Sequence, residues 1–98
     1  MSPEYGVVVF SASWCPPCRR MKDAVWPGNR VKRAIAVRPF KMYNVDFDKQ
    51  KDLVQAYRVT AVPTIVVIKT EDGVTREVAR NVGGMSVQNT LQFLQNAR

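Results

Sequence analysis

The chain has 98 residues and a mass of 11.1 kDa, enough for one domain, read as spanning residues 1–98, and too little for two. Apolar residues make up 46% and charged residues 23%, which excludes a disordered chain. No apolar run approaches the roughly 18–20 residues of a membrane span. The net charge is +7, and all of it lies in one segment: Arg19, Arg20, Lys22, Arg30, Lys32, Arg33, Arg38 and Lys41 are opposed there only by Asp23. Such a field attracts phosphate, acidic proteins or membrane surfaces. The first residues, Met1-Ser2-Pro3-Glu4, lack the basic start and apolar stretch of a signal peptide, so a cytoplasmic protein is predicted.

In chain order, the valine-rich run Tyr5 to Ala12 predicts a strand buried on both faces, the kind found inside parallel sheets. Ser13-Trp14-Cys15 turns the chain. Pro16 and Pro17 then sit where a helix tolerates proline, in the first turn, where N–H groups lack partners. Met21 and Val25 follow at helical spacing, Pro27-Gly28-Asn29 interrupts, and Val31 and Ile35 predict a short second helix with its basic residues outward. Phe40 to Phe47 alternates as a strand, with Phe40 and Met42 on one side and Tyr43, Val45 and Phe47 on the other. Asp48 is read as the cap of a helix over Lys49 to Tyr57 whose inner face is Leu53, Val54, Ala56 and Tyr57. Thr64 to Lys69 is a strand, Glu71-Asp72-Gly73 a turn, and Val74 to Ala79 pairs back as a hairpin. After a loop over Asn81 to Met85, Ser86 caps a last helix with Val87, Leu91 and Leu94 inward. The order β-α-(α)-β-α-β-β-α predicts an α/β fold: a four-stranded mixed sheet with helices on both faces.

Both cysteines fall in Trp14-Cys15-Pro16-Pro17-Cys18. Inert buried thiols and half of a zinc site are the bland readings. Zinc takes about four ligands, and with no His and no other Cys a zinc site would have to be shared between chains. A redox reading explains the spacing better. Cys-x-x-Cys at a helix start brings two sulfurs within bonding reach, and the helix N-terminus favours the thiolate of Cys15. That thiolate attacks a partner's disulfide, and Cys18 resolves the mixed disulfide. The chain has no Gly-rich phosphate loop, and the lack of His excludes His-based catalysis. Asp46 and Asp48 are read as helix-capping carboxylates, Trp26 as a core or staple aromatic, and the basic segment as a solvated face. The alternative for that segment is a module that holds nucleic acid or an acidic protein partner.

Three motifs, in order, resemble the thioredoxin family: the strand running into Trp14-Cys15-Pro16-Pro17-Cys18, the segment Ala61-Val62-Pro63-Thr64, and Val82-Gly83-Gly84 before the last helix. The likeness covers roughly residues 6 to 97. It implies a thioredoxin fold without the family's usual first strand and helix, and a monomeric oxidoreductase that reduces protein disulfides. Cys15 would be the nucleophile and Cys18 the resolving thiol. Trp14 would flank the exposed sulfur beside Pro16 and Pro17. Pro63 would be cis against the disulfide, Val62 would pair with the substrate backbone, and Gly83 and Gly84 would let a partner approach. The resemblance implies no cofactor beyond the Cys15–Cys18 pair. Its implied partners are disulfide-containing proteins, with a reductase or a low-molecular-weight thiol as electron donor. The chain departs from the pattern at Val9, where the family commonly has a buried aspartate, at Met42, which aligns with a frequent lysine, and at Ser11, a frequent tryptophan position. The Val25–Val31 insertion resembles the thioredoxin-like domains of bacterial thiol-transfer proteins.

Overall fold

A computed structural model describes residues 2–98; Met1, the first residue of the leader reading, lies outside them. The elements are β1 (Glu4–Ser11), α1 (Pro16–Arg20), a π-helical turn (Met21–Val25), α2 (Asn29–Val37), β2 (Phe40–Asp46), α3 (Lys51–Ala56), β3 (Thr64–Glu71), β4 (Val74–Val82) and α4 (Val87–Asn96). The strand order is β2-β1-β3-β4. β1 pairs parallel with β2 and antiparallel with β3, and β3 pairs antiparallel with β4. The continuous apolar runs are thus the two inner strands, while β2 and β4, whose residues alternate or are more polar, form the edges.

Alternation along β1 divides the core. Val7 and Val9 pack with Met21, Val25 and Val31 beneath α1 and α2, and with Leu94 of α4. Val8 and Phe10 face the other way, against Val45, Val59 and Val66, where Val54 of α3 and Tyr57 just after it close over them. Phe10 is fully buried and its ring lies 5.5 Å from that of Tyr57. Burial of one such side chain stabilises the fold by roughly 1.5–3 kcal/mol.

Local chemistry sets the connections. Asp72 and Gly73 both have positive φ and join Glu71 to Val74 as a two-residue hairpin turn, the conformation that Asp-Gly favours. Ser86 Oγ accepts from the Asn89 N–H at 3.1 Å and caps α4 as predicted. An extra residue between Ala79 and Glu77 shifts the β3–β4 register, a bulge that lets Val78 reach the core. The strand β4 runs through Val82, so the predicted loop over Asn81 to Met85 begins later than expected.

Three expectations need correction. Asp48 does not cap the third helix: α3 starts at Lys51, its N-cap is Gln50, and no side chain bonds there. The carboxylate of Asp46 instead holds the turn, accepting from the N–H groups of Asp48 and Lys49 at 2.9 and 3.1 Å. Leu53 and Ala56 do not face the core and both are exposed, because α3 spans less than two turns and the segment aims only Val54 and Tyr57 at the sheet. The first helix does not run evenly into Val25. Its second half is a π turn, closed by Trp26 N–H to Met21 O at 2.9 Å, which keeps Met21, Val25 and Trp26 on the core side before Pro27.

α3 ends with Val59 N–H bonded to Val54 O at 2.9 Å and Arg58 at φ 54°. This is a left-handed helix stop occupied by a side chain that strains it. Arg58→Gly is expected to raise stability by up to about 1 kcal/mol, measured by urea unfolding. An unchanged or lower midpoint would show that the arginine carries a compensating contact.

Candidate active site

The strand β1 delivers the chain to the sheet's end, where Cys15 N–H bonds to Ala12 O at 3.2 Å and closes a tight turn. Cys15 is the N-cap of α1, with extended backbone, and Pro16 and Pro17 fill the first two helical positions. Neither proline has an N–H, so the first free donor of the helix is the N–H of Cys18. It points at Cys15 Sγ, 3.3 Å away. A disulfide joins Cys15 to Cys18, with Cα atoms 5.3 Å apart. The site therefore supplies one sulfur with a fixed hydrogen-bond donor, which stabilises negative charge on that atom when the bond opens.

The other residues named from the sequence form a connected rim. The Val62 carbonyl lies 3.6 Å from Cys15 Sγ. The Val62–Pro63 peptide bond is cis and Pro63 is buried. Pro63 O accepts from Gly83 N–H at 2.8 Å, which ties the glycine loop to the proline turn. Gly83 has φ 109°, a conformation that a side chain would strain. Gly84 lies against the helix start: a Cβ added there would sit 3.2 Å from Pro17 Cβ. One part of the expected picture changes. Trp14 is 59% exposed, but Cys15 is only 3% exposed and Cys18 6%, so both cysteines are buried and neither stands out at the surface.

Trp14 is held by a bond that sequence reasoning missed. Its indole N–H donates to Asp48 Oδ2 at 2.7 Å, across 34 residues. Asp46 fixes the turn that presents Asp48, and Phe47 N–H anchors the same turn to Ser11 O at 2.9 Å. The only signal in the sequence was the acidic pair flanking Phe47, read there as helix caps. Asp48→Ala is expected to free the indole, shift its N–H resonance and increase its fast motion in NMR relaxation. An indole signal unmoved by the substitution would remove this role.

Val9 is buried in the main core, paired in register with Asn44 of β2 and Ile65 of β3. It lines a cavity of about 930 Å³ that also touches Cys18 and Met42, and no carboxylate lines that space. Trp26 is half-buried against the main core, as the staple reading expected, and borders the same cavity. Among the described residues no group of three His, Cys, Asp or Glu is placed to hold a metal ion. The basic segment is divided by α2. Arg30, Arg33 and Arg38 line a second cavity of about 750 Å³ between α2 and α4. Arg19, Lys22 and Lys32 line the one beside Cys18. Arg38 is not a solvated surface charge, since its guanidinium stacks over Tyr5 and Phe40 and donates to Ala97 O. Away from the cysteines, Arg80 hydrogen-bonds Glu77, holds its carboxyl below the usual range, and reaches Tyr57 O at 2.6 Å.

This arrangement defines a class of protein, a thioredoxin-fold domain with a Cys-x-x-Cys pair at a helix start facing a cis-proline. A family model for a thioredoxin-like domain matches residues 3–98, and the chain belongs to the thioredoxin family. It is 39% identical over 74 residues to the mitochondrial thioredoxin of Mus musculus, an alignment covering 74% of this chain and 41% of the mouse protein. It is 39% identical over 72 residues to the H-type thioredoxin of Fagopyrum esculentum, covering 74% of this chain and 58% of that one. The alignments thus span about half the length of these curated relatives. A thioredoxin from Thermus thermophilus superposes with a TM-score of 0.84 at 28% identity, over 94% of this chain and 72% of that one. Among the described residues no helix is long and apolar enough to cross a membrane.

Proposed function

We propose that the protein is a dithiol–disulfide oxidoreductase that reduces disulfides in other proteins through Cys15 and Cys18. The observation that carries this reading is the Cys18 N–H aimed at Cys15 Sγ, which makes Cys15 the sulfur that best holds charge. In the dithiol form the Cys15 thiolate attacks one sulfur of the substrate disulfide and expels the other as a thiolate. A mixed disulfide forms. Cys18 loses its proton, attacks Cys15 Sγ, and releases the second substrate sulfur. The protein is left oxidised and the substrate has gained two electrons and two protons. The Val62 carbonyl beside the sulfur supports a substrate segment laid along the proline turn as an added strand. A reductase or a low-molecular-weight thiol then restores the dithiol. A cytoplasmic setting, where thiols are kept reduced, suits a dithiol that works as a reductant. The deciding experiment is reduction of insulin disulfides by the purified protein with dithiothreitol as donor. A rate no higher than dithiothreitol alone would end this reading.

The cationic segment supports steering of acidic substrates. Neither ion pair found among the described residues, Lys69–Glu71 or Arg80–Glu77, involves any of its eight cations. Disulfide-linked acidic peptides should react faster than basic ones at low salt. The advantage should fade near 0.15 M, where screening cuts the range of charge to about 8 Å. Stopped-flow rates for the two peptides that respond alike to salt would show that these charges steer nothing.

A further inference from the structure

The cavity between α2 and α4 shares no lining residue with the one beside the disulfide, and none of the cysteine rim borders it. It has three kinds of wall. Arg30, Arg33 and Arg38 supply positive charge along α2 and just past its end. Gln88, Gln92 and Gln95 supply amides from α4. Ala34, Leu91, Leu94 and Phe40 make the floor apolar. Val37 borders the same space and is left 77% exposed, an apolar side chain in solvent beside cations. Neither helix contains an acidic residue, no carboxylate lines the space, and the ion pairs found among the described residues leave all three arginines out. The exposed face of α4 is amide throughout, with Asn89 and Asn96 beside the three glutamines.

Size chooses the occupant. The lining positions run from Arg30 to Val37 on α2 and from Gln88 to Gln95 on α4, two helical turns or about 10 Å. A stable protein interface needs about 800 Å² on each partner, and a strip this short offers a fraction of that. The volume, about 750 Å³, lies in the range of small-molecule sites. Every cation in the lining is an arginine, and guanidinium forks pair bidentately with phosphate oxygens as an ammonium does not. Amides present donors and acceptors together, which match a ring edge that carries both. An apolar floor takes the flat face of that ring. We propose that this cavity binds a nucleoside diphosphate, with its phosphates on the arginines and its base toward the glutamines. The chain has no Gly-rich phosphate loop, so side chains do the holding. Arg38 is fixed before the ligand arrives, since its guanidinium lies over Tyr5 and Phe40 and donates to Ala97 O. An arginine held in this way loses less freedom on binding than a loose one. No covalent step is involved, and the inference stands apart from the oxidoreductase reading.

The test uses the whole protein with its disulfide intact and ADP as the probe, followed by backbone NMR at low salt. Saturable shifts should fall on the lining segments of α2 and α4. Adenosine and inorganic pyrophosphate should each bind about tenfold more weakly than ADP or worse, because each lacks one half of the match. Arg30→Glu combined with Arg33→Glu should weaken ADP by at least about tenfold, since charged hydrogen bonds are replaced by repulsion. Gln88→Ala combined with Gln92→Ala should bring ADP down to the affinity of pyrophosphate and leave pyrophosphate itself unchanged. All four side chains are exposed, and circular dichroism checks that the variants fold. If one does not, the three probes compared on the wild-type protein decide. Pyrophosphate binding as tightly as ADP would reduce the cavity to a patch of charge and overturn the proposal. Shifts spread evenly over Arg19, Lys22 and Lys41 as well would do the same. A mixed-sequence RNA oligonucleotide or an acidic peptide that moves the α2 and α4 signals while ADP moves none would assign the groove to a macromolecule and equally overturn it.

Discussion

Cys15→Ser is expected to lower the reduction of protein disulfides to the uncatalysed rate, because the variant lacks the sulfur whose thiolate the Cys18 N–H stabilises. Cys18 cannot substitute for it. No hydrogen-bond donor is aimed at the Cys18 sulfur among the described residues, while the Val62 carbonyl of the proline turn and the Cys18 N–H gather around Cys15 Sγ. Cys18→Ser should behave differently. Its Cys15 thiolate still attacks, but nothing resolves the product, so a mixed disulfide with the substrate accumulates on Cys15 and turnover stops after one cycle. Acid quenching followed by peptide mapping reads both results. A protein adduct recovered on Cys18 of Cys15→Ser would reverse the assigned roles. Residual turnover in Cys18→Ser, by contrast, would mean that an external thiol resolves the adduct.

Val9→Asp is expected to cost stability and to create a pH dependence that the native chain lacks. Val9 is 5% exposed among apolar side chains, and a carboxyl there finds no hydrogen-bond partner waiting in the core. The penalty for such a group is of order 1–3 kcal/mol. Desolvation pushes its pKa above the ordinary value of about 3.9. The folded state therefore holds a proton that the unfolded chain has released. Stability should fall as pH rises from about 4 to the raised pKa and level off beyond it. Lys22 and Lys32, which border the same cavity, reduce the shift by favouring the charged form. Urea unfolding at several pH values measures the cost, and carboxyl NMR titration measures the pKa. A variant as stable as the native chain at pH 7, titrating near the ordinary value, would show that water already reaches Val9. In the native chain no carboxylate lines this space, so the proton of Cys18 has to leave by another route.

The positions of the strands, the helix starts and the two motif turns were readable from residue order because each depends on neighbours in the chain. Alternation along β1 sends Val7 and Val9 to one core and Val8 and Phe10 to the other. Asp72-Gly73 makes its turn with no outside help, and Ser86 caps α4 from three residues away. Cys15-Pro16-Pro17-Cys18 removes two donors and leaves the third aimed at a sulfur, a consequence of proline chemistry alone. Local patterns failed where a residue had two possible partners. Asp48 looked like a helix cap, but Asp46 two residues earlier already serves the backbone and leaves Asp48 free for Trp14. Leu53 fits an apolar helical stripe, yet a six-residue helix has no room to present it to the sheet.

The fold class, the family likeness and the sulfur pair follow from periodicity, turn chemistry and spacing within a few residues. Which loops come together around that pair was set by the tertiary fold. The cavity beside the pair is bounded by β1, the first helix, α2, β2 and Pro63 of the proline turn. The rim at Cys15 joins loops separated by 34 to 47 residues in the chain. Contacts at that range depend on how the sheet sets its connections side by side, and no local pattern encodes that.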